Sequence, residues 1–110
     1  MKDDRLYLIH ISECIHRIEE YLGGSGRDAF MASNLVQDAI IRNLQTLSES
    51  AMRISDQLQK KHPDAEWLKI RGFRNVLVHD YLGVDLEMVW NIIERDLPKL
   101  KAVVEKMLAD

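Results

Sequence analysis

Apolar residues recur along this chain at spacings of three and four, the period of a helix that buries one face. Leu8, Ile11, Ile15, Ile18 and Leu22 share such a face, and Gly23-Gly24-Ser25-Gly26 then ends it. A short helical turn is expected over 28–31. The most regular stretch follows, with Val36, Ile40, Leu44, Leu47, Ala51, Ile54 and Leu58 in one nearly continuous stripe. Ser33 is its expected N-cap, and Lys60-Lys61-His62-Pro63 closes it, where cations suit a helix C-terminus and proline forbids continuation. A third segment opens at Asp64 as N-cap, carries Glu66 in its first turn, and aligns Trp67, Ile70, Arg74, Leu77 and Tyr81. It is expected to stop near Leu82-Gly83. The fourth starts at Asp85 as N-cap and runs through Val89, Ile93, Leu97, Leu100, Val104 and Met107. Pro98 sits inside that pattern and should kink the helix without ending it.

No strand-like alternation, repeat or low-complexity tract interrupts this plan. Short connections between four amphipathic helices imply antiparallel neighbours, hence an all-α, up-and-down four-helix bundle with one additional short helix. The composition agrees: 46% apolar and 30% charged residues, with five Gly and two Pro, describe an ordinary folded protein and exclude disorder. With 110 residues, one domain over 1–110 is expected. The net charge of −3 gives no general attraction to nucleic acid, so any such binding needs a local basic patch. The single Cys14 allows neither an internal disulfide nor a cysteine-rich metal site. The opening Met1-Lys2-Asp3-Asp4-Arg5 leads into no signal-peptide core, and no apolar run nears the ~18 residues of a membrane span. A cytoplasmic protein without a membrane partner is expected.

The third segment carries the candidate chemistry. It places an arginine, Arg74, where its stripe calls for leucine. Seven residues at about 100° each make almost two full turns, so Arg74 and Tyr81 share a face. His79, five residues after Arg74, stands roughly 140° round an ideal helix and joins that stripe only where the helix loosens. A fixed cation, a titratable imidazole and a phenol are thereby brought close. Packing explains the same residues as well. A helix end favours His, an amphipathic stripe accommodates Tyr, and Arg74 could meet a carboxylate of a neighbouring helix. His10 and His16 are six apart, not the four that align two metal ligands on a helix, so no metal site is expected. Trp67 and Trp90 fit the helix periods as core or interface anchors, and Lys60 and Lys61 as solvated cations. Gly72 in mid-helix suggests close approach by a helix or a second subunit.

The segment Arg71-Gly72-Phe73-Arg74-Asn75-Val76-Leu77-Val78-His79-Asp80-Tyr81 contains the spacing R-x4-H-x-Y, which resembles the HepT toxins of the HEPN superfamily. The likeness extends to Arg5-Leu6-Tyr7-Leu8, Ile18-Glu19-Glu20-Tyr21, Gln37-Asp38-Ala39-Ile40-Ile41-Arg42-Asn43-Leu44, Gly83-Val84-Asp85-Leu86 and Asp96-Leu97-Pro98. It therefore covers essentially the whole chain.

The resemblance implies a HEPN-type bundle in a two-fold homodimer whose motifs face each other, and cleavage of RNA without metal or cofactor. Arg74 and His79 are the implied catalytic pair, with Asn75 supporting. Tyr81 is the implied target of adenylylation by a partner nucleotidyltransferase, the MNT-domain antitoxin, which silences the toxin. Arg42 and Asn43 form a secondary polar pair, suited equally to phosphate binding, a hydrogen bond between helices or a dimer contact. A different outcome is an adaptor that keeps the fold and binds a nucleotidyltransferase without cleaving RNA.

Overall fold

The computed structural model describes residues 2–77 and 83–110, the side chain of Lys2 excepted. Its elements are α1 (Lys2–Leu22), α2 (Arg27–Ala32), α3 (Asn34–Met52), α4 (Asp56–Lys61), α5 (Trp67–Leu77), α6 (Leu86–Asn91) and α7 (Leu97–Ala109). A 3-10 turn at Pro63–Ala65 precedes α5, and a π-helical turn at Ile92–Asp96 joins α6 to α7. The described residues form an all-helical bundle of the expected HEPN kind. Among them, no helix is long and apolar enough to cross a membrane.

The apolar stripes become the core. Leu8, Ile11, Ile15 and Ile18 of α1 meet Ile40, Leu44, Leu47 and Ala51 of α3, all buried. Ile70, Phe73 and Leu77 of α5 pack on the same mass, as do Val89, Leu100 and Val104 of α6 and α7. Contacts at the helix ends fix the directions. Arg5 near the start of α1 donates to the Leu108 carbonyl near the end of α7 (3.3 Å), while Lys101 of α7 donates to Glu19 of α1 (2.7 Å). These helices therefore run antiparallel. The short α2 lays Phe30 against Trp90 of α6, ring centroids 5.6 Å apart, and Arg27 pairs with Glu87.

Two expected caps stand where local chemistry puts them. Ser33 Oγ accepts from the Val36 N–H at 3.1 Å, and Asp85 Oδ1 accepts from the Glu87 and Met88 N–H groups.

Two expectations are corrected. The second segment is not one helix to Lys61, because it breaks after Met52 and restarts as α4 at Asp56. Ser55 is the cause: its Oγ accepts from the Leu58 N–H, and Asp4 of α1 holds it from the other side. Ile54 and the half-buried Leu58 still continue the apolar pattern, since both pieces cover one core. The third helix begins at Trp67, not after an Asp64 cap. Residues 63–65 form the 3-10 turn, and Glu66 takes the left-handed conformation (φ 55°) before α5 starts. The Trp67 indole N–H, bonded to the His62 carbonyl at 2.9 Å, pins that corner. As expected, Pro98 does not end the helical course, which passes through the π turn upstream of it into α7. There the Leu97 N–H reaches the Ile92 carbonyl, a five-residue step that moves the ladder around the missing proline donor.

Candidate active site

Arg74 lies on α5, and its side chain faces solvent. The inward position expected for it belongs to Phe73, 3% exposed, between Ile70 and Leu77. Steps of three and four both satisfy the helix period, and the phenyl ring enters the core because a buried guanidinium would need an ion partner. Arg74 instead leans on α3, its Nη1 3.6 Å from the Met52 sulfur. Among the described residues no carboxylate comes within 4.0 Å of it. The ion pairs formed by Arg17, Arg27, Lys69 and Lys101 lie elsewhere. A guanidinium so placed offers its planar fork to an incoming anion.

Asn75 is exposed beside Arg74. His79 and Tyr81 lie outside the described residues. Arg42 is exposed on α3, whereas Asn43 is buried and donates its amide to the Ala39 carbonyl at 2.9 Å. The Asn43 bond is therefore local to α3. Among the described residues, no hydrogen bond links Arg42 or Asn43 to Arg74. His10 and His16 are both exposed, the first edge-on to Tyr7 and the second 3.8 Å from Glu19. Cys14 is buried, and desolvation raises its thiol pKa, with a smaller upward push from Glu13 that Arg17 opposes. It is thus a poor nucleophile.

A cavity of about 400 Å³ between α5 and the π turn was not foreseen from the sequence. Gly72 and Phe73 form part of its wall, with Ile92 opposite and Asn91, Arg95 and Asp96 adding polar groups. Its one sequence signal is the mid-helix Gly72. Among the described residues, a Cβ on Gly72 would meet nothing within 4 Å, so no described helix makes the close approach that the glycine suggested.

Residues 11–107 match the family described as Ribonuclease HepT-like. A Methanocaldococcus jannaschii protein, named for a gamma-glutamylcyclotransferase and an inferred RNase, is 34% identical over 99% of this chain. The chain spans only 49% of that protein's length. The "Probable ribonuclease HepT" of Thermococcus cleftensis is 33% identical, over 92% of each chain. The "mRNA nuclease HepT" of Shewanella oneidensis is 23% identical, over 91% of this chain and 92% of its own. No solved structure matches. On the family match and these likenesses, the chain belongs to the ribonuclease HepT-like family.

Proposed function

We propose that the protein is the toxin of a HepT/MNT-type pair, a metal-independent endoribonuclease whose single domain over 1–110 acts on RNA in the cytoplasm. The observation that carries this reading is Arg74, solvent-facing and without a carboxylate within reach among the described residues, inside the R-x4-H-x-Y motif of a ribonuclease-family chain. In the reaction, neutral His79 takes the proton of a ribose 2′-hydroxyl. The 2′-oxygen bonds to the adjacent phosphorus, the bond from phosphorus to the 5′-oxygen breaks, and that oxygen takes up a proton. The products are a 2′,3′-cyclic phosphate and a 5′-hydroxyl. Arg74 stabilises the charge that builds on the phosphoryl oxygens, and Asn75 supports it.

The working form is a two-fold homodimer with the motifs facing each other. Tyr81 is the regulatory group. A partner nucleotidyltransferase transfers AMP from ATP to its phenol, which loses its proton as pyrophosphate leaves, placing a bulky anion beside Arg74 that competes with the RNA phosphate. Mass spectrometry after coexpression with such a partner should find Tyr81 carrying AMP, and an unmodified Tyr81 in silenced protein would refute that step.

A non-catalytic adaptor that binds a nucleotidyltransferase is the second reading, favoured by the net charge of −3. Inducing the wild type and His79→Ala in a bacterial host separates the two. The ribonuclease reading expects growth arrest, and RNA breakdown by purified protein in EDTA, from the wild type alone. Equal growth and equal RNA stability favour the adaptor.

A further inference from the structure

Arg71 stands one turn before Arg74 on α5, about 60° round the helix and about 4.5 Å along it, and the motif gives it no task. Both side chains reach the same part of the fold, the break between α3 and α4. Arg74 Nη1 rests on the Met52 sulfur at the end of α3, at 3.6 Å. Arg71 Nη2 donates to Gln59 Oε1 of α4, and the Gln59 amide in turn donates to the Ile54 carbonyl inside the break at 2.9 Å. Each guanidinium is thus held by a neutral acceptor, which orients it without cancelling its charge and leaves further N–H donors of its fork for an anion. Arg71 also borders a groove of about 470 Å³ between α4 and α5, with the carboxylates of Asp56 and Glu66 on the same lining. Among the described residues, neither of these nor any other carboxylate comes within 4.0 Å of Arg71 or Arg74. In a chain of net charge −3, α5 carries Lys69, Arg71 and Arg74 and no acidic residue. Lys69 is spent on Asp96 at 2.8 Å. The two arginines remain as the local basic patch that a nucleic-acid strand needs on a protein of negative net charge.

We propose that Arg71 binds a second phosphate of the RNA strand, next to the one that Arg74 meets, so that the strand runs along α5 past the α3–α4 break. A strand offers a phosphate at every nucleotide. One arginine on each of two successive phosphates fixes the register of the scissile bond without reading a base. The inference rests on the ribonuclease reading for the role of Arg74 and adds to it the path of the strand.

The test follows binding of a short fluorescein-labelled single-stranded RNA by anisotropy over a range of salt concentrations. Every protein carries His79→Ala, so that the strand stays whole. Losing one phosphate contact flattens the plot of log affinity against log salt by about 0.7 for a single strand. Arg71→Met and Arg71→Gln should each show that loss, with binding weakened about three- to tenfold at low salt. Adding Arg74→Met should about double the loss of slope. Arg71→Lys, which keeps the charge, should keep the slope. So should Gln59→Met, which removes the tether, and Arg17→Met, which removes an exposed cation of α1. Thermal melts establish which variants are folded, and the glutamine variant, whose amide can still donate to Gln59, serves where the methionine one is not. An unchanged slope without the Arg71 charge, or no RNA binding at all, would overturn the proposal. The same loss in Gln59→Met would make Arg71 a tether, and in Arg17→Met one of many interchangeable charges; either overturns it. A double variant that loses no more than one single variant puts both arginines on one phosphate and overturns it as well. Wild type that cleaves RNA, with a slope indifferent to Arg71, defeats this inference and leaves the ribonuclease reading intact. RNA held through Arg71 but left whole by the wild type does the reverse.

Discussion

Both oxygens of the Asp4 carboxylate are spent on one residue: Oδ1 accepts the Ser55 N–H at 2.8 Å and Oδ2 accepts the Ser55 hydroxyl at 2.6 Å. Asp4 is only 4% exposed, so these bonds form away from water and tie the start of α1 to the break between α3 and α4. Removing it leaves a half-buried amide and hydroxyl short of an acceptor. Asp4→Ala should therefore lower stability by about 2–3 kcal/mol, the range for hydrogen bonds to a charged group. Urea denaturation checks this, and Asp4→Asn should lose less.

That pair also marks how far the sequence was legible. The caps at Ser33 and Asp85 depend on groups two or three residues away, so the local pattern revealed them. The break at Ser55 depends on a residue 51 positions distant, and the apolar stripe runs straight across it because both pieces cover one core. Arg74 was expected on the inward stripe, whereas its side chain faces solvent. Phe73 and Arg74 both fit the period after Ile70, and only burial of the phenyl ring decides between them. The cavity over Gly72 was hinted at by a costly glycine, yet its far wall needs the π turn, which no period announces.

Glu66 holds φ 55° and ψ 54°, a conformation that costs a side-chain-bearing residue roughly 1–2 kcal/mol. Asparagine tolerates it better, so Glu66→Asn should stabilise the protein by about 0.5–1 kcal/mol. The β-branched Glu66→Val should destabilise it. Thermal melts of the two variants should move in opposite directions.

Lys101 donates to Glu19 at 2.7 Å, and that bond, with the attraction of the Glu19 charge, raises the lysine pKa against partial desolvation. A raised folded-state pKa means the contribution is fully present below the unfolded lysine value of about 10.4. It is lost as pH rises through the folded value. Stability of the wild type relative to Lys101→Met should thus be level from neutral pH to about 10 and shrink above it. A constant difference up to pH 12 would contradict the assignment.

Arg74 is exposed, so replacing it should scarcely affect folding, within about 0.5 kcal/mol. Its proposed task is different in kind. Arg74→Lys keeps the charge but loses the planar fork, and should lower kcat for RNA cleavage on the order of a hundredfold at unchanged melting temperature. Steady-state kinetics beside a thermal melt separates this from a structural role, which would move both.

The central claim is that Arg74 and His79 cleave RNA through the ribose 2′-hydroxyl. Its most direct test is the chemistry of the ends left on RNA by purified protein in EDTA. The wild type should leave 2′,3′-cyclic phosphates and 5′-hydroxyls, and His79→Ala should leave the RNA whole. Intact RNA with the wild type, 3′-hydroxyl ends, or the same cyclic ends from His79→Ala would contradict it.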